Sequence, residues 1–151
     1  MSGSRYRPDV SMQNTELKIE RDRELYLTYL RGLEDERFDD LTQAAEWVQS
    51  QPASKFYITS KALANYIGAI QNGKTPPRMY YYNELKIRVL YERYLDFIES
   101  HPNHGMSREK ICDMLVEEPA PQFYISQDYI RIIIQRERTK KRDHLIKKFS
   151  R

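Results

Sequence analysis

Two blocks of the sequence occur twice, in the same order. Residues 25–34 (LYLTYLRGLE) match residues 90–99 (LYERYLDFIE), and residues 52–59 (PASKFYIT) match residues 119–126 (PAPQFYIS). Between the blocks the apolar pattern persists where identity is lost, with Ala44, Ala45, Trp47 and Val48 aligned to Ile111, Cys112, Met114 and Leu115. Self-similarity of this kind is the signature of a repeated structural unit. The sequence therefore predicts a tandem duplication.

Each copy carries the pattern of three helices. The first helix is predicted over residues 15–33 and 83–99, where apolar residues keep the three-and-four spacing of a buried stripe. Thr15 and Asn83 are the predicted N-caps, because their side-chain oxygens can accept a backbone N–H. The predicted stripes are Tyr26, Leu30 and Leu33 in the first copy, and Leu90, Tyr94, Phe97 and Ile98 in the second.

The second helix of each copy is predicted to follow Asp40 and Ser107 and to end before Pro52 and Pro119. Proline lacks a backbone N–H, and its ring crowds the preceding turn, so a helix usually stops there. The predicted buried residues are Leu41, Ala44, Ala45 and Val48 in the first copy, and Ile111, Met114 and Leu115 in the second.

The repeated Phe-Tyr-Ile segment favours an extended backbone, because aromatic and β-branched residues suit that conformation. Thr59 and Ser126 follow it and can cap a third helix. Its predicted core face is Leu63, Tyr66, Ile67 and Ile70 in the first copy, and Ile130, Ile133 and Ile134 in the second. The second copy's third helix is predicted to continue through basic residues to about Lys148.

These patterns predict an all-α fold, built as a tandem duplication of a three-helix, helix-turn-helix-like unit with a short extended segment in each copy. Gly73, Pro76 and Pro77 mark a linker, since they break helices. The predicted divisions are a flexible arm over 1–13, copies over 14–71 and 83–138, a linker over 72–82, and a basic helix or tail over 139–151. A shared core and two separate units on the linker both fit this division.

A helix-turn-helix arrangement would present the third helix outward, as a recognition helix is presented. The joining segment, residues 51–59, is about twice the usual three or four residues. The predicted readers of base edges are Gln127, Asp128, Arg131 and Gln135, with Lys61, Ala64 and Asn65 as poorer readers in the first copy. The alternative is a plain helical bundle in which the third helix only packs.

Positive charge is concentrated at the C-terminal end. Residues 131–151 hold nine Lys or Arg against Glu137 and Asp143, a net charge of +7, so the rest of a chain of net charge +3 carries −4. An acidic body with a basic end predicts a polyanionic partner, nucleic acid first and an acidic protein surface second. A solvated helix end is the alternative, because Lys and Arg are favourable near helix C-termini.

Three consecutive tyrosines, Tyr80, Tyr81 and Tyr82, follow the linker and Arg78. Aromatic rings beside a cation suit both the stacking of unpaired bases and the docking of a protein. Consecutive residues of a helix cannot all face one core, so at least one ring is predicted to be exposed. The candidate binding residues are these four together with Arg131, Gln135, Arg138, Lys140, Lys141, Arg142, Lys147 and Lys148.

No motif indicates catalysis, a cofactor or a metal. The sequence has no glycine-rich phosphate loop and no nucleophile elbow. His101 and His104 lie in one predicted loop without a third ligand at a recognisable spacing, and the single Cys112 cannot hold zinc alone. We therefore expect a non-enzymatic protein without cofactor or metal.

The repeated PAxxFYI(S/T) block resembles small, duplicated proteins of gut Bacteroidota and of their phages and mobile elements, and the resemblance covers most of the chain. Those proteins carry no assigned activity, so the resemblance implies a setting, an accessory or virion protein of a phage or mobile element. Two functions follow as expectations: nucleic-acid binding through the basic helix or, alternatively, a structural role in a larger protein assembly.

The sequence also bears on location. No apolar run reaches the roughly 18 residues of a membrane span. Residues 1–10 lack the apolar core of a secretory signal. The expected location is the cytoplasm, or the virion if a phage encodes the protein, and no membrane partner is expected.

Overall fold

The computed structural model describes residues 8–35, 38–74 and 80–149, apart from the side chains of residues 8–13, 146 and 149. Within these ranges the chain forms six α-helices and no strand, so the all-α prediction is confirmed. The helices are α1 (Pro8–Asp35), α2 (Leu41–Gln49), α3 (Ser60–Gln71), α4 (Tyr81–Ser100), α5 (Arg108–Val116) and α6 (Gln127–Phe149).

Four helices begin directly after Asp40, Thr59, Ser107 and Ser126, as the sequence predicts, and Thr59 and Ser126 are also the predicted caps. The side chains of Asp40, Thr59, Ser107 and Ser126 each accept a hydrogen bond from the backbone N–H three residues further on, at 2.9–3.2 Å. Each such cap satisfies one N–H that the first helical turn leaves without a partner and contributes about 1 kcal/mol. The starts of α2, α3, α5 and α6 are therefore encoded locally.

The two other predicted caps, Thr15 and Asn83, are wrong. Thr15 lies inside α1, which begins at Pro8. Asn83 lies inside α4, whose N-cap is Tyr80 without a side-chain hydrogen bond. Helix α1 also takes in residues 8–13 of the predicted arm, whereas residues 1–7 lie outside the described part of the chain.

The sequence predicts an extended backbone for the Phe-Tyr-Ile segments, but the middle residue of each segment interrupts it. Tyr57 and Tyr124, the middle residues of the two segments, have φ of 55° and 60°, in the left-handed region. That conformation costs an L-residue about 1–2 kcal/mol. The left-handed residues turn the chain before α3 and α6. The neighbouring Phe56 and Phe123 are buried, and the free energy of this burial offsets the cost of the turn.

The described chain divides into two compact units, and each draws on both predicted copies. The central unit contains Ser54–Ala120, hence α3, α4 and α5, together with the described residues of α1 up to Ile19. The terminal unit contains Glu20–Ala53 and the described residues from Pro121 onward, hence the rest of α1, α2 and α6. In the central unit α3 packs on α5 and α4, and in the terminal unit α2 packs on α6.

The helix pairs that pack are therefore not those of a helix-turn-helix. That arrangement requires α2 to pack on α3, and α5 on α6, within one copy. Instead α2 and α3 belong to different units, as do α5 and α6. The alternative, a third helix that packs into a bundle, describes the structure better, with the difference that each third helix packs on helices of the other copy.

Each unit has its own apolar core. In the terminal unit Leu25 of α1 and Val48 of α2 are fully buried with Ile130, Ile133 and Ile134 of α6. In the central unit the fully buried side chains include Phe56, Leu63, Ile67, Leu90 and Ile111. Burial of one such side chain contributes about 1.5–3 kcal/mol, so each of these residues stabilises its unit.

Two residues of the predicted stripes are exposed instead, Leu33 (46%) and Met114 (39%). On α1 the face toward α2 is taken by Gly32, where a Cβ atom would lie 2.5 Å from Cζ3 of Trp47. The absence of a side chain at Gly32 admits the indole ring and turns Leu33 outward. On α5 the buried positions are taken by Cys112 and Val116 in addition to the predicted Ile111 and Leu115.

Candidate functional site

The C-terminal half of α6 continues past the last core residue of the helix. Ile134 is fully buried, whereas every described side chain from Arg138 to Lys148 is exposed. The face that carries Ile134 continues, at steps of three and four residues, as Glu137 and Lys141, which cannot be buried cheaply. Residues 138–148, called here the basic extension, span about 16 Å of helix at 1.5 Å per residue.

Arg136 holds the base of this extension to α1. Its Nη2 lies 2.5 Å from Oδ2 of Asp22, and Oδ1 of the same carboxylate accepts two hydrogen bonds from Arg21 at 2.9 and 3.0 Å. Burial pulls the pKa of Arg136 down, but the Asp22 carboxylate and the Tyr129 side chain more than offset it, so that this pKa lies above its usual value. Arg136 therefore remains charged and serves the fold.

Sequence reasoning missed the role of Asp22. Its side chain is 11% exposed, which is rare for an acid without cationic partners. The sequence pattern indicates the burial of Asp22, because this residue lies three residues before Leu25 and seven before Tyr29, on the buried stripe of α1. A charged residue at such a position predicts a paired cation elsewhere in the fold.

Four of the predicted binding residues on α6 also have partners within the terminal unit. Arg138 donates a hydrogen bond of 2.5 Å to the hydroxyl of Tyr29, and Nζ of Lys141 lies 5.9 Å from the ring centre of Tyr26. Arg131 forms an ion pair with Asp128, one turn before it. Nζ of Lys140 lies 3.1 Å from Oε2 of Glu137, and the Lys140 side chain is 66% exposed. Surface pairs of this kind contribute about 0–1 kcal/mol, so a polyanion can compete for these cations.

The other predicted residues of α6 lie on its exposed surface. Gln135 is exposed one residue after the last core isoleucine. Arg142, Lys147 and Lys148 are exposed in the last two turns, beside Leu145, which is 52% exposed. Cations are also favourable at this end of a helix, where the backbone dipole places negative charge. Arg142, Lys147 and Lys148 thus form a positive tip on the basic extension.

The first turns of α6 are less suited to reading bases than the sequence predicts. Nε2 of Gln127 donates to Oε1 of Gln49 at 2.9 Å, so this side chain takes part in packing α6 on α2. The Arg131 guanidinium is held by Asp128. The exposed surface nearby includes Ile132 (53%), which has no group for a base edge.

The tyrosine run lies in the central unit, at the start of α4. Tyr80 and Tyr81 are 50% and 61% exposed, as predicted for at least one ring of the run. Tyr82 joins them in one aromatic cluster, with ring centres 5.7 Å from Tyr80 and 5.1 Å from Tyr81. Arg78 lies outside the described residues. The candidate residues therefore form two groups, the tyrosine cluster on α4 and the cations of α6, one in each unit.

The side chains of His101, His104 and Cys112 take part in packing and hydrogen bonds of the fold. The His101 ring stacks on Phe97 with 4.5 Å between ring centres, and Nδ1 of His104 accepts the backbone N–H of Met106 at 2.8 Å. Burial raises the pKa of Cys112 to about 11, so its thiol is protonated at neutral pH. In the described part of the chain no group of three or more His, Cys, Asp or Glu is placed to hold a metal ion.

None of the described helices is both long enough and apolar enough to cross a membrane. Comparison of the chain with protein families, curated proteins and solved structures finds no match. The geometry of the two groups, the basic extension and the tyrosine cluster, is thus the basis for assigning a function.

Proposed function

We propose that this protein is a non-enzymatic binding protein that contacts nucleic acid through the basic extension of α6. The observation that carries the proposal is the positive tip. Arg142, Lys147 and Lys148 lie exposed on a helix that continues for about four turns after its last core residue, Ile134, in a chain whose remainder is acidic. Cations on a helix of this kind suit the regular phosphates of a polyanion.

The internal hydrogen bonds of two side chains on α6 favour phosphate contact over base recognition. Arg136 is committed to Asp22, and Gln127 to Gln49, so neither is available to read a base edge. Phosphate contacts position a protein on nucleic acid without reading its sequence. Binding through the extension is therefore proposed to be strongly dependent on salt and weakly dependent on sequence.

The tyrosine cluster is proposed as a second contact, with unpaired bases. Stacking on an aromatic ring contributes about 1–3 kcal/mol per base and tolerates any base. The exposed faces of Tyr80 and Tyr81 suit this role.

The direct test is fluorescence anisotropy with labelled duplex and single-stranded oligonucleotides over about 50–200 mM salt. We expect log affinity to fall linearly with log salt, with a slope near −0.9 per neutralised phosphate on a duplex. Absence of binding to both probes at about 50 mM salt contradicts the proposal.

A structural role in a protein assembly of a phage or mobile element is the second candidate. Ile132 on α6 and Leu27 on α1 are each more than half exposed on the terminal unit and are apolar side chains that a protein partner could cover. In that setting the protein is located in the virion, and otherwise in the cytoplasm. Isolation of the native protein from its source as a free chain, without any larger complex, counts against this candidate.

A further inference from the structure

The two halves of the chain exchange their third helices. Each compact unit combines the first two helices of one half with the third helix of the other half: α1 from Glu20 onward and α2 with α6, and α4 and α5 with α3. The packed pairs agree, because α2 contacts α6, and α3 contacts α5 and α4.

The chain passes from one unit to the other at equivalent places. The first crossing lies between Ala53 and Ser54, and the second between Ala120 and Pro121. Both fall after the Pro-Ala pair of the repeated block, at the same spacing that relates its two occurrences. Tyr57 and Tyr124, the two non-glycine residues of the described chain with positive φ, follow the crossings at equal distances. The repeated block is thus the segment that directs each third helix to the other half.

Specific contacts join the exchanged helices to their hosts. At the start of α6, Gln127 bonds to Gln49, and Nε2 of Gln49 donates to the carbonyl of Ile125 at 3.1 Å. Further along α6, Arg136 pairs with the buried Asp22. In the central unit Nη2 of Arg108 on α5 donates to Oε1 of Gln71 on α3 at 3.1 Å.

From these contacts we infer that the half ending at Lys74 and the half beginning at Tyr80 are mutual binding partners, each completing its core with a helix of the other. If the two halves were separated, α3 would expose Leu63 and Ile67, and α6 would expose Ile130, Ile133 and Ile134, all of which are buried in the intact protein. The surface that α1 and α2 offer is thus a binding site for α6, and the surface of α4 and α5 is a binding site for α3. The inference is independent of the proposed contact with nucleic acid.

The test is to cut the full-length folded protein between the halves. A protease recognition sequence inserted after Lys74 allows cleavage of the folded chain, and gel filtration then measures the size of the product. We expect both fragments to elute together at the size of the uncut protein and to separate only in denaturant. Two separately eluting fragments, each helical by circular dichroism, overturn the inference.

A cross-link distinguishes helix exchange from mere association of the halves. The variant carrying Gln49→Cys and Gln127→Cys is treated with a short bis-maleimide before cleavage, and the single variants are the controls for the buried Cys112. Exchange predicts that the two fragments of the double variant run as one band on a denaturing gel. Fragments that run separately, although they elute together under native conditions, also overturn the inference. If the double variant does not fold, the pair Gln71→Cys and Arg108→Cys in the central unit replaces it, with the same single-variant controls and the same two outcomes.

Discussion

Single residues explain where the fold departs from its sequence pattern. Gly32 is the clearest case, because its missing side chain leaves room for the Trp47 ring and for Phe38 beside it. The buried face of a helix is predicted from the spacing of its large apolar side chains, and a glycine on that face does not contribute to this pattern. Leu33 was therefore predicted to be buried, whereas the chain buries the position before it.

Gly32→Ala is expected to destabilise the protein by about 1–3 kcal/mol. The new Cβ meets rigid rings, and the cost of overpacking exceeds the gain of about 1 kcal/mol in helix propensity. Gly68→Ala is the matched control, because its Cβ meets only the end of the flexible Arg108 side chain, at 2.6 Å from Nη1. Urea unfolding of both variants measures the difference. Equal stability of the two variants contradicts the packing described for Trp47.

Asp22→Asn tests the link between α1 and α6 at the scale of one carboxylate. The substitution removes the negative charge that faces Arg21 and Arg136, and we expect a loss of roughly 1–3 kcal/mol in the free energy of unfolding. Asp96→Asn, at an exposed position of α4, is the control and is expected to change stability by less than about 0.5 kcal/mol. A variant at Asp22 as stable as the control shows that the buried carboxylate does not hold α6.

Cys112 predicts a dependence of stability on alkaline pH. The pKa of its thiol is about 11 in the folded protein, against an ordinary value of 9.0, so the folded state binds the proton more tightly than the unfolded state. This contribution to stability is fully present below pH 9 and is lost as pH rises toward 11. We expect Cys112→Ala to lose less stability than the parent protein between pH 9 and 11, by an amount on the order of 1–3 kcal/mol. Parallel pH profiles of the two proteins contradict this.

At the scale of helices, the sequence predicts the features that depend on neighbouring residues, such as where a helix begins. The cap at Thr59, the start of α5 after Ser107 and the continuation of α6 to Lys148 follow from local chemistry, and the structure confirms them. Which helix packs on which does not follow, because a stripe shows that a face is buried but not which partner covers it. The pairing of α2 with α6 joins residues far apart in the sequence. The left-handed turns that precede the third helices occur at Tyr57 and Tyr124, and without a glycine at these positions the sequence does not predict them.

The C-terminal part of the basic extension, from Arg142 onward, is predicted to be separable from the fold. Removal of residues 142–151 leaves Ile130, Ile133, Ile134 and the Arg136–Asp22 pair in place. We expect the free energy of unfolding to change by less than about 1 kcal/mol, since exposed helical residues make few contacts. The same truncation is expected to weaken binding to nucleic acid strongly. A large loss of stability contradicts the description of α6 as a core helix with an exposed extension.

At the scale of the whole molecule, the candidate site combines predictable and unpredictable parts. The excess of Lys and Arg after residue 131 is visible in the sequence, and so is the exposure expected of the tyrosine run. The sequence does not show which cations the fold itself uses, because Asp22 reaches Arg136 only once α1 and α6 are packed. In the described part of α6, Arg142, Lys147 and Lys148 are exposed near the C-terminal end of the helix, after the exposed Lys140 and Lys141.

The most direct test of the proposed function compares two triple variants that remove the same charge. One replaces the positive tip (Arg142→Gln, Lys147→Gln, Lys148→Gln), and the other replaces exposed lysines of the central unit (Lys61→Gln, Lys74→Gln, Lys110→Gln). Circular dichroism first verifies that both variants are folded. The anisotropy titration over a range of salt then gives the affinity and its salt slope. The tip variant is expected to bind duplex at least about 10-fold more weakly at 50 mM salt, with a slope shallower by about 2–3, and the control is expected to stay near the parent protein. Equal weakening by both variants, or no change in either, contradicts nucleic-acid binding through the basic extension.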